Sequence, residues 1–192
     1  METNLLYYII QPEDSNFYPR LRAEKNEDYE YENAFIEKAG TIEYSLDKPA
    51  PNQPIMVDYH ASPYSVFSDK VADVLKAMKI AGTQLIPAKV VWEDGTEFAH
   101  YRLLNVYNIL SVLDMDKSHY RWHRASKVAN PLLDIVLKED CLSAIPLEKR
   151  LIFRLAENST FELYHQSVVD AIRATKPDGI EFIKVEDWDY RP

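Results

Sequence analysis

The spacing of apolar residues along the chain changes period several times, and each change marks an element. Residues 5–10 form a continuous apolar run, short enough to read as a buried strand. The polar, proline-punctuated stretch 11–32 reads as loop. Residues 41–46 alternate as an edge strand, and Pro49, Pro51 and Pro54 interrupt any ladder before the next strand at 55–59. From Ser68 the period becomes helical. Val71, Val74, Leu75 and Met78 share one face over 68–79, with Ser68 as N-cap, Asp69 in the first turn, and Lys76 and Lys79 near the C-terminal end. Gly82 stops that helix, and residues 84–92 and 97–107 flank Glu93-Asp94-Gly95-Thr96, a hairpin signal. Further on, 108–113 reads as a short helical turn, and 119–124, 132–137 and 150–155 read as strands. A second principal helix over 166–175 runs through Pro177-Asp178-Gly179 into a last strand, 180–185.

The expected fold class is therefore α+β, a mainly antiparallel sheet with two principal helices. The segments 62–86 and 159–183 align at an offset of 97 residues, so that Val71, Val74, Leu75 and Met78 fall on Val168, Ala171, Ile172 and Thr175, and Gly82 falls on Gly179. Two readings stand for this: a pseudo-repeat of one helix-to-strand unit, or the ordinary agreement of any two such units. At 192 residues the chain fits a single domain, 1–192, with residues 1–60 as an N-terminal strand and acidic elaboration on a core from 61 to 188.

Composition narrows the classes. Cys141 is the one cysteine, which rules out an internal disulfide framework and points to a reducing, cytoplasmic setting. The first residues lack the basic start and long apolar core of a signal peptide, and no apolar run is long enough for a membrane span. The net charge of -9 repels a phosphate backbone, so nucleic acid and membrane are not expected as partners, whereas a basic protein would be attracted.

Catalytic patterns are lacking. The four glycines, at 40, 82, 95 and 179, are isolated, so no loop resembles a phosphate cradle. His119 and His123 have the spacing of a shared metal only on a helix. As a strand the stretch separates them by about 13 Å, with Tyr120 and Trp122 packed inward and the histidines outward. Cys141 sits among carboxylates that raise a thiol's pKa, which reads as a buried or inert side chain. No metal and no cofactor is expected, and the chain reads as a binding protein, not an enzyme.

Two clusters interleave acids with aromatics, the side-chain mixture that selects a basic partner at an interface. One is Glu24, Glu27, Asp28, Tyr29, Glu30, Tyr31 and Glu32; the other is Glu186, Asp187, Trp188 and Asp189. Their alternative is a solvated face with aromatics covering a core edge.

From about Tyr64 to Trp188 the pattern resembles the immunity protein 11 family of bacterial polymorphic-toxin systems. The residues that carry the likeness are Phe67-Ser68-Asp69 at a helix start, Leu103-Leu104-Asn105-Val106 with Asn108, Leu110, Leu113-Asp114 and Ser118, then Ile152-Phe153-Arg154-Leu155 and Gly179-Ile180-Glu181-Phe182. The resemblance implies a cytoplasmic antidote that binds a cognate toxin domain and blocks its active site, and it supplies no catalytic residues to carry over. An enzyme that reverses a toxin's modification, or a non-catalytic adaptor, are the alternatives.

Overall fold

The computed structural model describes residues 6–23, 34–61 and 64–189. Its strands are β1 (Tyr7–Pro12), β2 (Leu21–Ala23), β3 (Ile42–Leu46), β4 (Tyr59–His60), β5 (Val66–Ser68), β6 (Thr83–Val91), β7 (Glu97–Val106), β8 (Ile109–Leu110), β9 (His119–His123), β10 (Val128–Asp134), β11 (Ile152–Leu155), β12 (Asn158–His165) and β13 (Ile180–Lys184). The helices are α1 (Asp69–Met78), α2 (Glu139–Ala144) and α3 (Gln166–Ala174). The fold is the expected mainly antiparallel α+β, divided into two sheets and a separate hairpin. One sheet has the order β13-β1-β12-β11-β8, the other β2-β3-β6-β7-β5-β4, and β9 pairs only with β10. Within the two sheets only β3 with β6 and β8 with β11 run parallel. No helix among the described residues is long and apolar enough to cross a membrane.

The two principal helices form where the apolar period dictates. Val71, Ala72 and Leu75 of α1 and Val168, Val169 and Ile172 of α3 are buried together with Phe67, Leu104 and Val106 of one sheet and Tyr8, Ile152 and Tyr164 of the other. The helices thus lie side by side over both sheets, and their shared core is the main apolar joint between them. A second core, under α2 and the hairpin, gathers Leu113, Leu132, Leu142, Phe153 and Leu163. A third lies on the face of the six-stranded sheet away from α1, around Tyr44, Ile86 and Leu103.

The segments aligned at 97 residues have matching local geometry. In each, a helix joins two strands that leave room for an antiparallel third: β7 between β5 and β6, β1 between β12 and β13. Arg102 lies opposite Phe67 and Pro87, and Tyr8 lies opposite Tyr164 and Lys184, the positions 97 residues further on. Lys79 and Lys176 both have φ of 51°, and Gly82 and Gly179 follow at 71° and 74°. The likeness is one of geometry and register; it does not by itself make the segments copies of one unit.

Several expectations are corrected. Residues 109–110 are a strand, because Arg154 donates its backbone N–H to Asn108 O at 2.9 Å and draws the segment alongside β11. The stretch 55–59 contributes only Tyr59 to strand pairing, and β10 begins at Val128, ahead of the expected 132. Trp122 does not pack inward: it is 50% exposed, because among the described residues β9 pairs with β10 alone and meets no second sheet beyond its base. Cys141 is exposed, not buried.

Polar joints reinforce the apolar one. Asp58 accepts from Ser68 Oγ and from the Asp178 N–H (2.8 Å) and pairs with Lys70 Nζ at 2.6 Å, so the loop before β4 grips the start of α1 and the turn after α3. Burial would raise the Asp58 pKa, but Lys70, Ser68 and the Asp178 N–H together outweigh it and hold the carboxyl below the usual aspartate range. At the core of the seam, Arg154 and Glu162 face each other across β11 and β12 and are 1% and 9% exposed. Glu162 Oε1 accepts from Arg154 Nη2 at 3.0 Å, and Oε2 accepts from Ser65 Oγ at 2.7 Å and Tyr164 OH at 2.9 Å. Ser65 precedes β5 of the other sheet, so this carboxylate stitches the two sheets together.

Two outcomes follow for urea unfolding. Glu162→Ala removes the carboxylate facing a buried guanidinium and is expected to lower stability by about 3–5 kcal/mol, whereas the double change Arg154→Met, Glu162→Leu recovers only part of that loss, because Ser65 Oγ and Tyr164 OH still lose their acceptor. Gly179→Ala puts a Cβ 2.6 Å from Val57 Cβ at a φ of 74° and is expected to cost about 2–4 kcal/mol.

Candidate functional site

The seam between the sheets opens into two adjoining concave surfaces. A cleft of about 590 Å³ runs between the end of β1 and the start of β12, with Gln11, Tyr64, Thr160 and Phe161 on its walls and Tyr59, Ser65, Glu162 and Tyr164 in its floor. A hollow of about 850 Å³ continues from it, sharing Pro12, Tyr59 and Ala61, and is bounded by the loops 13–20 and 47–51.

The floor of the cleft is a fixed polar network. Tyr59 OH donates to Ile10 O at 3.3 Å and lies 3.5 Å from Ser65 Oγ, whose hydroxyl is already given to Glu162. Burial raises the pKa of the Tyr59 and Tyr164 phenols, and the nearby Glu162 charge adds to it, so both stay neutral. Glu162 uses both oxygens internally. It supports the surface and is poorly placed to take a proton from a bound molecule.

His60 lies in the wall of the hollow, 3% exposed. Its Nδ1–H donates to Pro19 O at 3.1 Å, which leaves Nε2 as the lone-pair nitrogen, and that atom has no hydrogen-bond partner among the described residues. Burial pushes the imidazole down to about 4, against a smaller upward pull from the Pro19 carbonyl. The ring is therefore neutral at physiological pH.

The outer rim is mixed. Phe17 and Ile55 are 56% and 53% exposed, and the Ile55 N–H donates to Phe17 O at 2.9 Å, so two large apolar side chains stand on neighbouring backbone beside the hollow. Such exposure of adjoining large apolar groups marks contact surfaces. Glu13 and Asp14 are exposed beside them and Asp47 is half-buried, while Lys48 is tied to Glu93 at 2.6 Å.

Of the clusters expected from sequence, Trp188 alone lines this surface among the described residues. Glu24, Glu27, Asp28, Tyr29, Glu30, Tyr31 and Glu32 lie outside the described residues. Their flanks are anchored on the six-stranded sheet: Ala23 ends β2, Ala34 O accepts from Asn105 Nδ2 at 3.0 Å, and the Ile36 backbone exchanges two hydrogen bonds with the Gln84 amide. Glu186, Asp187, Trp188 and Asp189 follow β13 of the other sheet. Glu186 pairs with Lys184 at 3.1 Å. Trp188 lines the cleft, stacks edge-on against Phe161 at 5.3 Å and donates its indole N–H to Leu132 O at 3.1 Å. Sequence reasoning missed the seam itself, since Gln11, Tyr59, Ser65 and Glu162 come from separate stretches. It also missed Phe17, whose signal was a large aromatic inside a polar loop. His119 and His123 are held apart by different partners, Asp134 at 3.1 Å and Ser126 at 2.6 Å.

These features define a two-sheet α+β protein with two adjoining concave surfaces on the seam between the sheets. The chain belongs to the immunity protein family: the model described as "Immunity protein family (Imm11)" matches residues 7–187. The match takes in β1 and the N-terminal loops, well ahead of Tyr64, where the resemblance in the sequence begins. A comparison with curated proteins finds no match.

The buried imidazole gives a pH test. The unfolded chain binds a proton at His60 below about 6.5, while the folded chain resists it until about 4, so stability falls as pH drops through that window, by about 3 kcal/mol in full. His60→Gln removes this component, and urea midpoints measured from pH 7 to pH 4 are expected to slope less for the variant than for the parent.

Proposed function

We propose that this chain is an antidote that binds the toxic domain of a polymorphic toxin in the bacterial cytoplasm and neutralises it by covering its active site or substrate path. The family match over 7–187 carries this reading. What the structure adds in its support is a contact face. The hollow, its apolar pair Phe17 and Ile55 and the exposed Glu13 and Asp14 combine an anchor with negative charge. The same edge leads through β2 into the segment holding Glu24, Glu27, Asp28, Tyr29, Glu30, Tyr31 and Glu32. A basic toxin domain is the partner that this charge steers in. Trp188 extends the face along the cleft, and Glu186, Asp187 and Asp189 adjoin it in sequence. The reading is one of binding, not catalysis, and needs no cofactor.

Co-expression with the toxin domain encoded beside this gene tests it directly, and toxicity that persists with the antidote folded and abundant rules the reading out. For the contact face, Phe17→Asp with Ile55→Asp is expected to weaken binding at least tenfold with little change in Tm, because both side chains already face solvent. Reversing Glu27, Asp28 and Glu30 to Lys is expected to slow association and flatten its salt dependence in stopped-flow measurements, and an unchanged rate removes that segment from the face.

A further inference from the structure

The hairpin β9–β10 stands apart from the rest of the molecule in both pairing and charge. From Lys117 to Leu133 the chain has no Asp or Glu, although its net charge is -9. The base of the hairpin is fixed: Ala129 and Leu132 are fully buried, Asn158 Nδ2 donates to Ala129 O at 2.8 Å, and the Trp188 indole holds Leu132 O. Beyond the base, all residues from Arg121 to Lys127 are exposed. Arg121, Arg124 and Lys127 have no salt-bridge partner among the described residues, and Trp122, 50% exposed, has one aromatic neighbour among them, the Tyr120 ring, 6.5 Å away centroid to centroid. Lys127 also holds a φ of 54°, a conformation Gly or Asn adopts at less cost.

A rigid root, a tip of unpaired cations and a half-exposed tryptophan make a projecting contact element. We propose that this hairpin is a second anchor on the cognate toxin domain, with Trp122 seated against an acidic patch that Arg121, Arg124 and Lys127 pair with. This rests on the antidote reading above. Arginine and tryptophan are the side chains that dominate protein interfaces, and guanidinium groups match carboxylates in a two-pronged geometry. Three cations are few for a polyanion that must also approach a chain of net charge -9, so a protein surface is favoured over nucleic acid. Trp188 reaches both the cleft and the hairpin root, so one partner can span the two surfaces.

The test measures binding of the purified adjacent toxin domain to the full chain by biolayer interferometry at 50 and 300 mM salt, with Tm recorded for each variant. Trp122→Ala is expected to raise Kd tenfold or more. Arg121→Glu with Arg124→Glu is expected to raise it further and to reduce its salt dependence. Lys127→Gly removes one charge while easing the turn, and should weaken binding about threefold with Tm unchanged or higher. If the parent binds and these variants bind equally well, the hairpin proposal is overturned and the antidote reading stands. If the parent does not bind, both fall. If the parent binds a ten-residue oligouridylate more tightly than the toxin domain, and Trp122→Ala abolishes that binding, the tip is a nucleic-acid contact and the proposal is overturned.

Discussion

One buried carboxylate sets the terms for the rest of the structure. Glu162 sits where two sheets meet, and an ion removed from water survives there only if its lone pairs are filled. Arg154 across the strand pair, Ser65 from the opposite sheet and Tyr164 two residues along fill them. Because donors come from both sheets, the relative placement of the sheets is fixed by a charge that tolerates little displacement. The apolar joint under α1 and α3 supplies the area, and this joint supplies the register. The seam surfaces are a by-product, since side chains that converge on a single carboxylate leave the neighbouring space uneven.

Much of this was legible where elements are built from local pattern. The two principal helices, the β6–β7 hairpin around Gly95 and the first strand follow from period and turn chemistry, and part of the family likeness, Phe67-Ser68-Asp69 and Leu103-Leu104-Asn105-Val106, falls in these same stretches, whereas α2 had no such signal. What was not legible depends on partners far along the chain. β12 opens with the polar Asn158-Ser159-Thr160 and buries Glu162, so its pattern hides a strand that only Arg154 explains. The pair Ile109–Leu110 becomes extended because Asn108 is bonded to Gly82 on one side and to Ile152 on the other. Trp122 was misplaced because alternation predicts an inward face even where there is nothing inward to meet.

The candidate surface was readable only at Trp188. Clusters of acids with aromatics suggested contact chemistry, yet Trp188 spends its indole N–H on Leu132 and packs edge-on against Phe161, so its part in the structure is to shape the cleft. Concave surfaces assembled from four or five distant segments have no sequence signature. The acid-free stretch 117–133 did have one, a run of basic residues in an acidic chain, and it gains meaning only once the hairpin is seen to project.

Charge in this molecule is sorted as well as summed. The exposed hairpin tip, Arg121 to Lys127, carries three basic side chains and no acid on a root fixed to the five-stranded sheet. Positive charge held off-centre in a set direction feels a torque as well as a pull in the field of an approaching molecule, and it turns the body before contact is made.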